Sequence, residues 1–200
     1  MRRWRSVSWL GAAALVVLVC GDASAYKYQG VRWTALYENY YVNNAAASWL
    51  SKIKAGMNPW NNAGSKFKFV YKGKTSKGVS WNVSDVDYTN VITKGPLSGS
   101  QYQNVLALNH SWYYQTTKRL VDSDIIFNTN FPWVTNGSPS GYDVQNILTH
   151  EAGHSLQLLD LYGAADKEKT MYGYGAKGET KKRTLHSDDI AGIKKIYGAK

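Results

Sequence analysis

Along most of this chain the apolar positions fall into short runs rather than long periodic stretches. Ala45, Ala46, Trp49, Leu50 and Ile53 recur three and four apart, which predicts a first helix over about 43–55, closed by Gly56 and Pro59. The segments 32–37, 66–71, 105–108 and 124–127 are rich in β-branched and aromatic residues and bounded by turn residues, so they read as strands. A second helix is expected over about 144–157, with Asp143 as its N-cap. A last helix begins behind Ser187 as cap, carries Asp188 and Asp189 at its positive end, and stops at Gly198. Strands interspersed with helices, then a helical tail, define an α+β class: a twisted mixed sheet backed by two helices.

The first 25 residues break this pattern. Arg2, Arg3 and Arg5 precede a short apolar core over 10–19, and Ala23-Ser24-Ala25 forms a small-residue cleavage site, as in an export signal. The apolar run is shorter than the roughly 20 residues a membrane span needs. The expected organisation is a signal peptide over 1–25 and one catalytic-sized domain over 26–200, secreted and monomeric, with no linker, repeat or low-complexity tract dividing it. The one cysteine, Cys20, lies inside the signal, so the mature chain is expected to hold neither a disulfide nor a thiol that could block a metal.

Chemistry concentrates in HEAGHSLQLLD, residues 150–160. On a helix, positions i and i+4 share a face, so His150 and His154 aim two imidazoles at one point. Neutral imidazole nitrogens suit Zn²⁺, and Glu151 stands beside them as a base for the attacking water. Asp160 adds a hard oxygen ligand after the chain has had room to leave the helix. Three protein ligands with one position left open is the pattern of a catalytic zinc, one per chain. The competing reading is a helix with two surface histidines.

The stretch that follows, through TMYGYG to LHSDDIAGIKKIYG, resembles the metzincin clan and within it the secreted matrixin-like proteases. His150, Glu151 and His154 match the zinc motif directly, and Asp160 falls at the third-ligand position, as in the snapalysin-like variant. Met171 stands where the methionine turn belongs, and residues 122–133 resemble the strand and loop before the zinc helix. The resemblance implies a metzincin fold with its cleft below the edge strand. It also implies a secreted zinc endopeptidase that acts on proteins or peptides, with Met171 supporting the imidazoles from below. In one place the chain departs: Gln157 stands where the family has glycine. That glycine adopts a left-handed conformation freely, whereas a side chain there costs about 1 kcal/mol. Either Gln157 takes the strained turn or Asp160 is displaced, in which case His110 and His186 are the other candidates.

Charge and aromatic content add rival readings. Losing three Arg and one Asp with the signal takes the net charge from +10 to +8. The basic runs over 66–77, 181–183 and 194–195 read as solvated faces flanking turns. They suit an anionic cell-wall polymer or acidic protein substrates, while export argues against nucleic acid. Asp85, Asp87, Asp122 and Asp124 are candidates for calcium, without the spacing of a calcium loop. Trp49, Trp60, Trp81, Trp112 and Trp133 read as core or rim packing. The alternative from another class is an exported, zinc-binding but non-catalytic surface module, which an intact Glu151 speaks against.

Overall fold

The computed structural model describes residues 26–200 and the backbone of Trp4–Ser8; the remainder of the expected signal, 1–25, lies outside the described residues. In chain order the elements are β1 (Trp4–Ser8), β2 (Tyr37–Asn43), α1 (Leu50–Asn61), β3 (Lys68–Thr75), β4 (Asn90–Gly95), β5 (Ala107–Tyr114), β6 (Arg119–Asn128), β7 (Trp133–Val134), β8 (Tyr142–Asp143), α2 (Val144–Ser155) and α3 (Ser187–Tyr197). The main sheet runs β1-β5-β6-β4-β2-β3. Its pairs β2/β3, β2/β4 and β4/β6 are parallel, while β5 lies antiparallel on β6 and β1 antiparallel on β5. This is the expected α+β architecture, with α1 and α2 packed side by side on one face.

Three details of the sequence reading change. The strand expected over 32–37 forms at Tyr37–Asn43 instead, and Arg32 makes only an isolated bridge to Arg119. The first helix continues past Gly56 and Pro59 to Asn61. A Cβ at Gly56 would stand 3.0 Å from Leu148 Cδ2 and 3.2 Å from the Gln145 carbonyl, so this glycine serves the close approach of α1 to α2 rather than an ending. His186, not Ser187, caps α3: its ring accepts from the Asp188 N–H at 3.2 Å, and Asp189 reaches back to the His186 N–H at 3.1 Å.

The core between sheet and helices is built on Val42, Ile53, Trp60, Phe67, Phe127 and Leu148, all fully buried. Within it a polar cluster fixes the rotation of α2 on the sheet. Asn109 of β5 donates to Ser123 Oγ of β6 at 3.1 Å and to Ser155 Oγ of α2 at 2.9 Å, and Ser111 Oγ donates back to Asn109 Oδ1 at 2.7 Å. Buried groups paired this way resist sliding, because each displaced hydrogen bond leaves a desolvated polar atom. From the other side Trp60 Nε1 donates to the Thr149 carbonyl at 2.8 Å.

Gly153 is the second place where α2 allows a close approach. A Cβ there would collide with the Met171 sulfur and lie 3.0 Å from the Trp60 ring. The segment bearing Met171 is therefore seated directly under α2. Gly153→Ala is expected to overpack this junction and lower stability by about 1–3 kcal/mol. A fall in the urea midpoint checks it, and an unchanged midpoint would show that Met171 can move aside at no cost.

Candidate metal centre and cleft

Asp143 caps α2 as expected, accepting from the Asn146 N–H at 2.9 Å, and the helix brings His150 and His154 onto one face. Both rings are oriented by backbone oxygens. His150 Nδ1 lies 2.8 Å from the Thr170 carbonyl and His154 Nδ1 lies 2.7 Å from the Leu158 carbonyl. A carbonyl oxygen can only accept, so each Nδ1 carries a proton and each ring turns its Nε2 inward. The two Nε2 atoms are 3.1 Å apart.

Asp160 completes the group. Its Oδ1 lies 3.2 Å from His150 Nε2 and 3.4 Å from His154 Nε2. An ion with tetrahedral ligands at about 2.0–2.1 Å separates its ligand atoms by roughly 3.3 Å, so this triangle has the right size for zinc. Among the described residues, these three are the only group of His, Cys, Asp or Glu whose donor atoms converge in this way. His110 and His186 are elsewhere: the first is stacked between Trp81 and Trp112, and the second caps α3.

The left-handed turn forms on Gln157, at φ 66°. The Leu158 N–H donates to the Gly153 carbonyl at 3.0 Å and the Gln157 N–H to the His154 carbonyl at 2.8 Å, the paired bonds that close a helix before a left-handed residue. The Gln157 side chain is fully buried and its Nε2 donates to the His154 carbonyl at 3.1 Å. Beyond it, residues 27–29 pair with the chain: Gln29 N–H to Gln157 O at 3.0 Å and Leu159 N–H to Lys27 O at 2.9 Å. Asp160 therefore arrives at the histidines although the glycine is missing.

The turn carrying Met171 is held from two sides. Leu161 N–H donates to Met171 O at 2.8 Å and Gly173 N–H to Leu161 O at 2.9 Å. Asp189, fully buried, accepts from the Thr170 N–H at 2.9 Å and the Met171 N–H at 3.4 Å. Read from the sequence as a helix-dipole residue, Asp189 thus also fixes the carbonyl that orients His150. Tyr162 is a second residue missed from the sequence. Its hydroxyl donates to Asp160 Oδ2 at 3.1 Å, and its ring fills the space that a Cβ on Gly173 would take. Tyr172 and Tyr174 lie edge-on to one another, their ring centroids 5.4 Å apart.

Glu151 is buried, with Oε2 lacking a hydrogen-bond partner in the protein. Burial pushes its carboxyl above the usual carboxylate range, while His154 and His150 pull the other way. Burial also works against the Asp160 carboxylate, but the two imidazoles outweigh it and hold its pKa well below the ordinary value. A cleft of about 220 Å³ opens over His150, Glu151, His154 and Asp160. Of the four aspartates considered for calcium, Asp124 accepts from the Ser80 and Val91 N–H groups at 2.7 and 2.8 Å, Asp87 pairs with Lys77 at 3.0 Å, and Asp85 is hydrogen-bonded to Asn82 at 2.8 Å.

The two imidazoles on α2 and Asp160 beside them, with the Met171 turn beneath, form a group that could hold a metal ion. The chain belongs to the matrixin family, whose pattern matches residues 31–198. It is 36% identical to the hatching enzyme of Paracentrotus lividus over 78 residues, 39% of this chain and 12% of that protein. Matrilysin of Homo sapiens is 36% identical over 75 residues, 38% of this chain and 27% of that protein. Metalloendoproteinase 1 of Glycine max is 37% identical over 78 residues, 36% of this chain and 24% of that protein. The match thus spans only a fraction of each relative's own length.

Strain at Gln157 is open to a direct comparison. Gln157→Gly removes the left-handed penalty, whereas Gln157→Ala keeps it, and both lose the buried amide. At equal metal saturation the glycine variant is expected to be more stable than the alanine variant by about 1 kcal/mol. Equal urea midpoints would show that the turn carries no strain.

Proposed function

We propose that this chain is a secreted, zinc-dependent endopeptidase in which His150, His154 and Asp160 hold the metal and Glu151 is the general base. The observation that carries the reading is the convergence of three potential ligand atoms, 3.1–3.4 Å apart, beside a buried carboxyl that has a free oxygen. A zinc ion there supplies a Lewis acid that polarises the scissile carbonyl and makes the attacking water more acidic. Glu151 accepts the proton of that water and returns it to the departing amine; its raised pKa suits a group that must hold a proton between the two steps. Tyr162 engages Asp160 Oδ2, which leaves Oδ1, the oxygen near both imidazoles, as the atom that would serve as ligand. Met171, 1% exposed and pressed against Gly153, supports the histidine pair from below. Membership of a peptidase family supports protein or peptide substrates. Removal of an export signal over 1–25 would also take away β1 and leave β5, whose Ala107 lines the cleft, as the sheet edge.

The test is cleavage of quenched-fluorescent casein by the purified, zinc-loaded protein, with and without a chelator. Cleavage is expected to stop with the chelator and return with zinc. Glu151→Ala is expected to keep its zinc while losing about 10²–10⁴-fold in rate. Retained zinc without any cleavage in the unmodified protein would return the non-catalytic surface-module reading. Asp160→Ala is expected to lose zinc on dialysis, and unchanged affinity would mean another residue completes the site. Tyr162→Phe is expected to weaken zinc binding about 10–100-fold in a chelator competition, and no change would remove its positioning role.

A further inference from the structure

The basic run over 181–183 reads from the sequence as a solvated face, yet Lys182 is 2% exposed. Its ammonium donates to the carbonyls of Tyr172 and Tyr174, at 2.6 and 2.7 Å. Glu179 makes a long ion pair with it at 3.8 Å, beyond hydrogen-bond reach, and accepts from Asn146 Nδ2 at 3.2 Å. Two of the three ammonium N–H groups are therefore satisfied by neutral oxygens, and no carboxylate is hydrogen-bonded to the third. Burial pulls the Lys182 pKa down, with Glu179 and then Asp160 acting against it. A cation kept in such a place is short of solvation, and an anion that reaches it gains a charge-assisted hydrogen bond.

Lys182 also lines the cleft over the metal centre. Its backbone N–H donates to Asn146 Oδ1 at 2.8 Å, which ties it to the first turn of α2. Asn146 precedes His150 by four residues, about 6 Å along the helix axis. The residues of the metal centre, the apolar Leu106 and Ile147, and Lys182 thus line one cleft. A side chain with an apolar stem and a carboxylate tip matches both features. A basic side chain would be repelled, and an apolar one would leave the ammonium as it is.

We propose that Lys182 selects an acidic residue, Glu or Asp, at one of the two positions adjoining the cut bond. This inference rests on the endopeptidase reading above and adds a substrate class to it. Tyr174 and Gly175, which line the same cleft, belong to the segment whose carbonyls the ammonium holds, so a single residue both braces the wall and gives it a charge.

The zinc-loaded full chain would first be given a mixed peptide library and its cut sites read by mass spectrometry. Acidic residues are expected to be enriched at one flank of the cut. Matched peptides carrying Glu or Gln at that flank are then expected to differ about tenfold or more in kcat/KM. In Lys182→Met that ratio is expected to fall to about one, whatever the absolute rates, a change that loss of bracing alone would not produce. Equal or better cleavage of the Gln peptide by the unmodified protein would overturn the proposal, and so would a ratio that survives the substitution. If Lys182→Met does not fold by circular dichroism, the ratio in the unmodified protein decides. If nothing is cut, the endopeptidase reading fails, and fluorescence anisotropy with labelled Glu and Gln peptides still judges the cleft. Tenfold tighter binding of the Glu peptide would keep the acidic selection, and equal binding would end it.

Discussion

Three potential ligand atoms, His150 Nε2, His154 Nε2 and Asp160 Oδ1, are held within 3.4 Å of one another. Much of the surrounding structure keeps them there. The carbonyls of Thr170 and Leu158 take the Nδ1 protons, so neither ring can swing its donor away without stranding a buried N–H. Asp189 holds Thr170 in place from α3, the turn at Gln157 brings the Leu158 carbonyl round, and Tyr162 holds the far oxygen of Asp160. These second partners come from three separate stretches of chain, around 157–162, 170 and 189. The candidate metal centre is thus a junction on which the last fifty residues converge.

The same economy applies to α2, which is both a structural helix and the carrier of the chemistry. Its buried residues run almost without break from Val144 to Ser155, because sheet, α1 and the Met171 turn each cover part of its circumference. Its N-terminal end is fixed by Asp143, which caps the helix and also receives Arg183 Nε and Nη2 at 2.9 and 2.6 Å. That bidentate pair and Lys182 stitch the segment 172–183 to the first turn of α2, and so one wall of the cleft is set by the helix that presents the histidines. Stability and site geometry cannot be separated here.

Local patterns read well where a short-range rule decides the outcome. Asp143 capping α2, Gly198 ending α3 at φ 85°, and the i, i+4 imidazoles all depend on neighbours within one or two turns of helix. Patterns failed where a distant partner decides. Gly56 and Pro59 read as a helix end, but Leu148 makes Gly56 a packing residue. The strand Asn90–Gly95 was not read at all: it is short, and its place between β2 and β6 comes from those strands. Lys182 looked solvated beside Lys181 and Arg183, because nothing local announces that two carbonyls eight and ten residues away will receive its ammonium.

By itself the sequence determined the chemistry available: two imidazoles on one helical face, a carboxylate beside them, and an aspartate six residues after the second. These are matters of residue type and spacing along one short stretch, which helical geometry converts into direction. Only the tertiary structure decided that Gln157 takes the left-handed turn, that Asp160 meets the histidines, and that Tyr162, Asp189 and Lys182 stand around them. Each of those outcomes is settled by hydrogen bonds and packing between segments far apart in sequence. Such partners can be paired only once the sheet and α2 have brought them within reach.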